Sequence, residues 1–122
     1  MRNIFPLLLV LCLPMLSSAH HSTNVNFTQE IISVDGVIEQ VRNMNPHVSV
    51  LIKHIDTSGA ETYWLLETVG RTTLDRQGIS MAALEIGVKV TATGRKGRRE
   101  NTMYLQKLLF ADGQEFTPEP DR

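Results

Sequence analysis

Val48-Ser49-Val50-Leu51-Ile52-Lys53-His54-Ile55-Asp56-Thr57-Ser58-Gly59-Ala60-Glu61-Thr62-Tyr63-Trp64-Leu65-Leu66-Glu67-Thr68 reads as a β-hairpin. Val48, Val50 and Ile52 alternate with Ser49, Leu51 and Lys53, the two-residue period of a strand with one face in a core. Asp56-Thr57-Ser58-Gly59 supplies the turn. Residues 61–68 return as a second strand rich in aromatic and aliphatic side chains.

Working outward, residues 31–41 are rich in β-branched side chains and form a strand that precedes the hairpin. Gly36 lies inside it, as expected at a bulge or sharp bend. Asn43-Met44-Asn45-Pro46 is the turn into the hairpin. Beyond the hairpin, Thr72-Thr73-Leu74-Asp75 reads as a helix start, with a hydroxyl cap and an acid three residues on. Gly78 ends that helix, Ser80 caps a second short turn at Met81–Leu84, and Gly87 resets the chain. Val88, Val90 and Ala92 then alternate with Lys89, Thr91 and Thr93 as a fourth strand. Residues 94–101 read as a basic, glycine-containing loop and residues 103–111 as a fifth strand. Asp112-Gly113 is a further turn signal, and residues 117–122 form a polar tail.

Three strands, a short helical segment and two more strands is the order of an OB-fold, a small five-stranded Greek-key barrel. The expected class is therefore mainly all-β, with the barrel over residues 30–116 and the helical segment between strands three and four. The Gly36 bend suits a long first strand that serves both halves of such a barrel. A generic open β-sandwich is the competing architecture.

The N-terminus reads as an export signal. Arg2 is followed by an apolar run, residues 4–16, of h-region length and too short to span a bilayer. Ser17 and Ala19 are the small residues wanted before a cleavage site. Cleavage after residues 1–19 places the mature chain in the periplasm or outside the cell. It leaves an arm, residues 20–29, and no second apolar run long enough to cross a membrane. Cys12 is the single cysteine and lies in the signal. Leu11 stands before it where a lipoprotein signal would want a small residue, so lipid attachment is not expected. The mature domain then has no disulfide, although its compartment would permit one.

The whole chain has 12 basic and 13 acidic residues. Removing the signal takes one cation and no acid, which leaves a mildly acidic domain and argues against a nucleic-acid partner. The basic run Arg95-Lys96-Gly97-Arg98-Arg99 belongs to the loop that in OB-folds often meets a ligand. For an exported chain, an anionic glycan, an anionic lipid or an envelope protein suits it better than nucleic acid. A plainly solvated loop is the competing reading.

Four motifs follow one another along the chain: the start Ala19-His20-His21-Ser22, the Gly36-Val37 strand running into Asn45-Pro46-His47-Val48, Trp64-Leu65-Leu66-Glu67, and Leu84-Glu85-Ile86-Gly87-Val88-Lys89-Val90. In this order they resemble a family of small exported bacterial proteins of unknown function. The resemblance covers nearly the whole mature chain, and it implies a periplasmic OB-like β-barrel without an established activity. Members of that family commonly carry an aromatic residue two positions before Asn-Pro-His. Here that position is Asn43, which has no ring to stack.

The histidines carry the clearest candidate chemistry. Cleavage after Ala19 would free an α-amine beside the imidazole of His20, a donor pair suited to copper or zinc. The α-amine deprotonates more easily than a lysine amine. His47, presented by the Pro46 turn, is the candidate third donor, with His21 as a local alternative. Met44 offers a soft sulfur that favours Cu(I). The competing reading makes Asn45-Pro46-His47 a structural turn whose histidine bonds the backbone, and leaves His20-His21 a solvated terminus. His54, at a strand end, reads as a packed or loop histidine. Glu67, near Trp64, is a fourth ligand, a general base, or a strand-end acid paired with Arg71 or Lys89. No nucleophile–base pair can be argued, so an enzyme ranks behind a binding module.

Overall fold

One strand serves two neighbours. β1 is 16 residues long, Phe27–Arg42. In the computed structural model, which describes residues 23–120, its first half lies antiparallel to β4 (Lys89–Gly97), from Phe27↔Gly97 to Val37↔Lys89. Its second half lies antiparallel to β2 (Ser49–Ile55), from Val37↔Lys53 to Arg42↔Ser49. Gly36 stands at the changeover. A Cβ there would come 2.7 Å from the Lys53 carbonyl oxygen and 3.1 Å from Ile52 Cδ1. The missing side chain is what lets β1 pass so close to β2. A register shift between Ile38 and Gln40 adds further coiling.

The hairpin forms as its sequence implies. β2 turns through Asp56–Gly59 into β3 (Glu61–Glu67), with Leu51 opposite Leu65 and Ser49 opposite Glu67. Asp56 Oδ1 accepts from the Ser58 N–H at 2.8 Å, the Ser58 hydroxyl at 2.6 Å and the Ala60 N–H at 3.0 Å. Gly59 takes the positive φ, +85°, that the turn requires.

β3 then pairs in parallel with β5 (Thr102–Phe110), from Leu65↔Thr102 to Glu67↔Tyr104, and β5 pairs antiparallel with β4. The circuit β3-β2-β1-β4-β5 thus returns to β3. This closure makes the fold a five-stranded OB-like barrel and excludes the open sandwich. Helix α1 (Arg71–Gln77) lies between β3 and β4, the position expected for it. A short β6 (Glu115–Phe116) pairs with the end of β5. Two residues are too few to show alternation, so only the Asp112-Gly113 turn announced it.

The core fills the barrel. Ile38, Val48, Val50, Ile52, Leu66, Ala92, Met103 and Leu108 are fully buried, and Leu74 of α1 packs into the same cluster. Burying a side chain of this size contributes roughly 1.5–3 kcal/mol. Each buried residue of β2 is one of the alternating set read from the sequence.

Three local expectations are corrected. Thr72 does not cap α1: the cap residue is Gly70, and it makes no side-chain cap bond. The basic stretch at 94–101 is not all loop, because β4 runs on through Gly97 and the turn occupies only residues 98–101. Strand pairing also begins at Phe27, inside residues 20–29, because the Phe27 ring is buried against Tyr104 with centroids 5.4 Å apart. A 3-10 turn, Thr23–Val25, precedes it.

Candidate ligand groove and histidine centre

Strand register lines up a groove on the barrel's outer surface. Gln40, Leu51 and Leu65 are neighbours across β1, β2 and β3, and so are Arg42, Ser49 and Glu67. These six residues line a cleft of about 300 Å³. Glu67 also lines a second cleft of about 250 Å³, with Asn26, Phe27, Arg98, Arg99 and Thr102. The two clefts therefore meet at Glu67. Leu51 and Leu65 give the groove an apolar floor, and Arg42, Arg98 and Arg99 give it an excess of positive charge. The expected pairing of Glu67 with Arg71 or Lys89 does not form. Among the described residues its carboxylate has no ion-pair partner. Sequence reading missed Gln40, Arg42, Ser49, Leu51 and Leu65, since each is an ordinary outward strand residue until the register brings them together.

The basic run divides by role. The Arg95 guanidinium donates to the Thr28 carbonyl at 2.8 Å, the Thr23 hydroxyl at 2.8 Å, Asn24 Oδ1 at 2.7 Å and the Phe27 carbonyl at 3.2 Å. Four of its five N–H donors hold residues 23–28 to the barrel. Lys96 pairs with Glu30 at 3.7 Å. Arg98 reaches the Asn24 carbonyl at 3.5 Å and, with Arg99, remains on the wall of the groove.

His47 sits just past a cis Asn45–Pro46 peptide, in a turn tied to the far end of β3. Val48 N–H donates to the Val69 carbonyl and Thr68 N–H to the Val48 carbonyl, each at 3.0 Å. Asn45 Oδ1 accepts the Thr72 N–H at 3.1 Å, and Asn45 Nδ2 donates to the Thr72 hydroxyl at 2.9 Å. The turn thus supplies the cap that Thr72 does not supply itself. His47 Nδ1 lies 3.2 Å from the Thr68 carbonyl oxygen. A carbonyl accepts, so Nδ1 carries the proton, and in the neutral ring Nε2 keeps its lone pair.

His54 Nδ1 donates to the Asp35 carbonyl at 2.8 Å, at the end of the β1–β2 ladder. Met44 is half exposed, and its carbonyl accepts the Arg71 N–H at 3.2 Å. Trp64 packs against the core cluster and does not line the groove. His20 and His21 lie outside the described residues. Among the described residues no three His, Cys, Asp or Glu side chains cluster as a metal site.

Residues 8–106 match the profile of a family of unknown function (DUF6152). No curated protein matches the chain. Among solved structures, a small single-stranded DNA-binding protein from Streptomyces coelicolor is similar, with 12% sequence identity and a TM-score of 0.38. The alignment covers 66% of this chain and 93% of that one.

Proposed function

This chain belongs to the family of unknown function DUF6152, and we propose that it is a small exported binding module, active in the periplasm or outside the cell. The reading of residues 1–19 as a signal supports export. The ligand we assign to it is an anionic glycan, held in the groove between Gln40–Arg42 and Arg98–Arg99. The observation that carries this reading is that two clefts share Glu67 and have three arginines between them on their walls. In OB barrels the second and third strands and the β4–β5 turn are the usual contact surface for oligosaccharides and oligonucleotides. Export favours the glycan.

Calorimetric titration with an acidic oligosaccharide tests it. Arg42→Glu and the pair Arg98→Glu, Arg99→Glu should each weaken binding by about tenfold or more, and added salt should weaken the native protein's binding. Unchanged affinity in these variants would sink the reading, and tighter binding of a single-stranded oligonucleotide would reassign the ligand class. Mass analysis of the N-terminus of protein recovered from the periplasm tests export.

A second reading, copper or zinc binding, is favoured by the His47 ring. An imidazole whose other nitrogen is held by a carbonyl is in the state usual for metal-ligating histidines. Asn26 and Phe27 share a cleft with Glu67, whose neighbour Thr68 holds His47, so the root of the N-terminal segment lies at the His47 end of the barrel. From Thr23 back to His20 is three residues, about 10 Å of extended chain. In this reading the His20 amine and ring join His47 Nε2, with His21 as a local alternative and Met44 as a further soft donor. Copper titration of protein cleaved after Ala19 should show a high-affinity site that His20→Ala and His47→Ala each weaken. Equal affinity in the double variant would dismiss the metal.

A further inference from the structure

We propose that the saddle at the Gly36 bend is a separate ligand site, for a small amphiphilic carboxylate. Where β1 passes from β4 to β2, the outer surface is concave, an open depression of about 500 Å³. Val37 of β1, Lys53 and Ile55 of β2, Lys89 and Thr91 of β4 and Leu109 of β5 bound it. No residue of the saddle lines the arginine groove. The inference therefore stands whether or not that groove binds a glycan.

The saddle has an apolar half and a cationic rim. Ile55 is 51% exposed and Leu109 38% exposed, two large apolar side chains left in water on one concavity. A hydrocarbon chain laid over them removes both surfaces from water. On the rim, Lys53 is held by Glu39 at 3.4 Å and Glu61 at 4.0 Å. Lys89 has no ion-pair partner among the described residues, so its charge is open to a ligand. Thr91, two residues along the same strand, makes no side-chain hydrogen bond among the described residues and offers a hydroxyl beside it. The carboxylate on the lining, Asp35, lies next to His54 Nδ1 at 3.7 Å. The lining carries two cations, Lys53 and Lys89, against one acid, Asp35, an excess of one positive charge that suits a monoanion better than a polyanion. The volume falls within the ~300–1,000 Å³ common to small-molecule sites, which suits a short amphiphile and not a polymer.

Octanoate is the probe, with acetate and octanol as its separate halves. Titration calorimetry of the protein should show saturable octanoate binding, with acetate and octanol weaker by about tenfold or more. Amide shifts on octanoate addition should centre on Thr91 and Leu109. Lys89→Glu and Leu109→Asn should each weaken octanoate by about tenfold or more, while Arg99→Glu in the groove should not. Lys89 and Leu109 are both exposed, so these variants retain the fold; Lys89→Gln is the milder second variant. Equal binding of octanol and octanoate, native affinity in the Lys89 and Leu109 variants, or no saturable octanoate binding would each overturn the proposal.

Discussion

Gly70 leaves open the space that Asn45 fills: a Cβ on Gly70 would stand 2.6 Å from Asn45 Oδ1 and 2.6 Å from the Pro46 carbonyl oxygen. The first turn of α1 is thus capped by a side chain from the turn before β2, and the bare glycine makes that approach possible. Asn45→Ala should lower the unfolding free energy by about 1 kcal/mol, the usual worth of a cap. Gly70→Ala should also destabilise, by displacing the same carboxamide and crowding the Pro46 carbonyl. Because both disturb the Asn45 contact, the double variant should lose less than the sum of the singles. Urea unfolding of the three variants measures this, and full additivity would show that the contact does not couple them.

Arg95 holds residues 23–28 by four hydrogen bonds. Arg95→Ala should cost about 2 kcal/mol, in the range for bonds to a charged donor. Hydrogen exchange should rise selectively at residues 23–28 while the β2–β3 ladder keeps its protection. Arg95→Lys should not restore the protection, since an ammonium cannot reach four acceptors with the geometry of a guanidinium fork.

Asp56 carries a pH signature. Hydrogen bonds from Ser58, then Ala60, hold its carboxyl below the usual value of 3.8. A depressed folded-state pKa contributes stability that is present above the unfolded value and lost as pH falls through the folded one. The β2–β3 turn should therefore loosen only below about pH 4. Carboxyl carbon shifts should report a midpoint under the free aspartate value, and Asp56→Asn should flatten this part of the stability profile. Lys53 runs the other way: its bond to Glu39 raises its pKa above 10.5, so its contribution disappears only as alkaline pH passes that raised value.

Ile52 and Ile55 test the face assignment of β2. Ile52 is fully buried and Ile55 is 51% exposed. Ile52→Ala should cost about 2–5 kcal/mol through the cavity it leaves. Ile55→Ala should stay within about 0.5 kcal/mol of the native protein. Denaturant midpoints for the pair check both values, and a comparable loss at Ile55 would contradict the placement of that side chain.

Much of the barrel was legible because its signals are local. The Val48, Val50 and Ile52 alternation, the Asp56–Gly59 turn, the Gly36 bend and the Gly78 helix stop each lie within a few residues. The misread places share a different cause. Arg95 and Lys96 have the composition of a loop, yet strand pairing tolerates them because Arg95 finds its acceptors on residues 23–28 and Lys96 finds Glu30. Thr72 has the chemistry of a cap, but Asn45 reaches the helix first and Gly70 lets it in. The sequence left His47 open between ligand and turn residue. The structure gives it a backbone bond through Nδ1 and leaves Nε2 able to accept.

By itself the sequence determined the kind of elements, their order and the inward face of β2, because side-chain period and turn chemistry are properties of neighbouring residues. Only the tertiary structure decided that β3 closes on β5, that Asn45 caps α1 from 27 residues away, and that Glu67 is shared by a cleft lined by Arg42 and a cleft lined by Arg98 and Arg99. Those relationships depend on the register between strands distant along the chain. Outward side chains in separate strands become neighbours only once the barrel has closed, and the buried core sets that register.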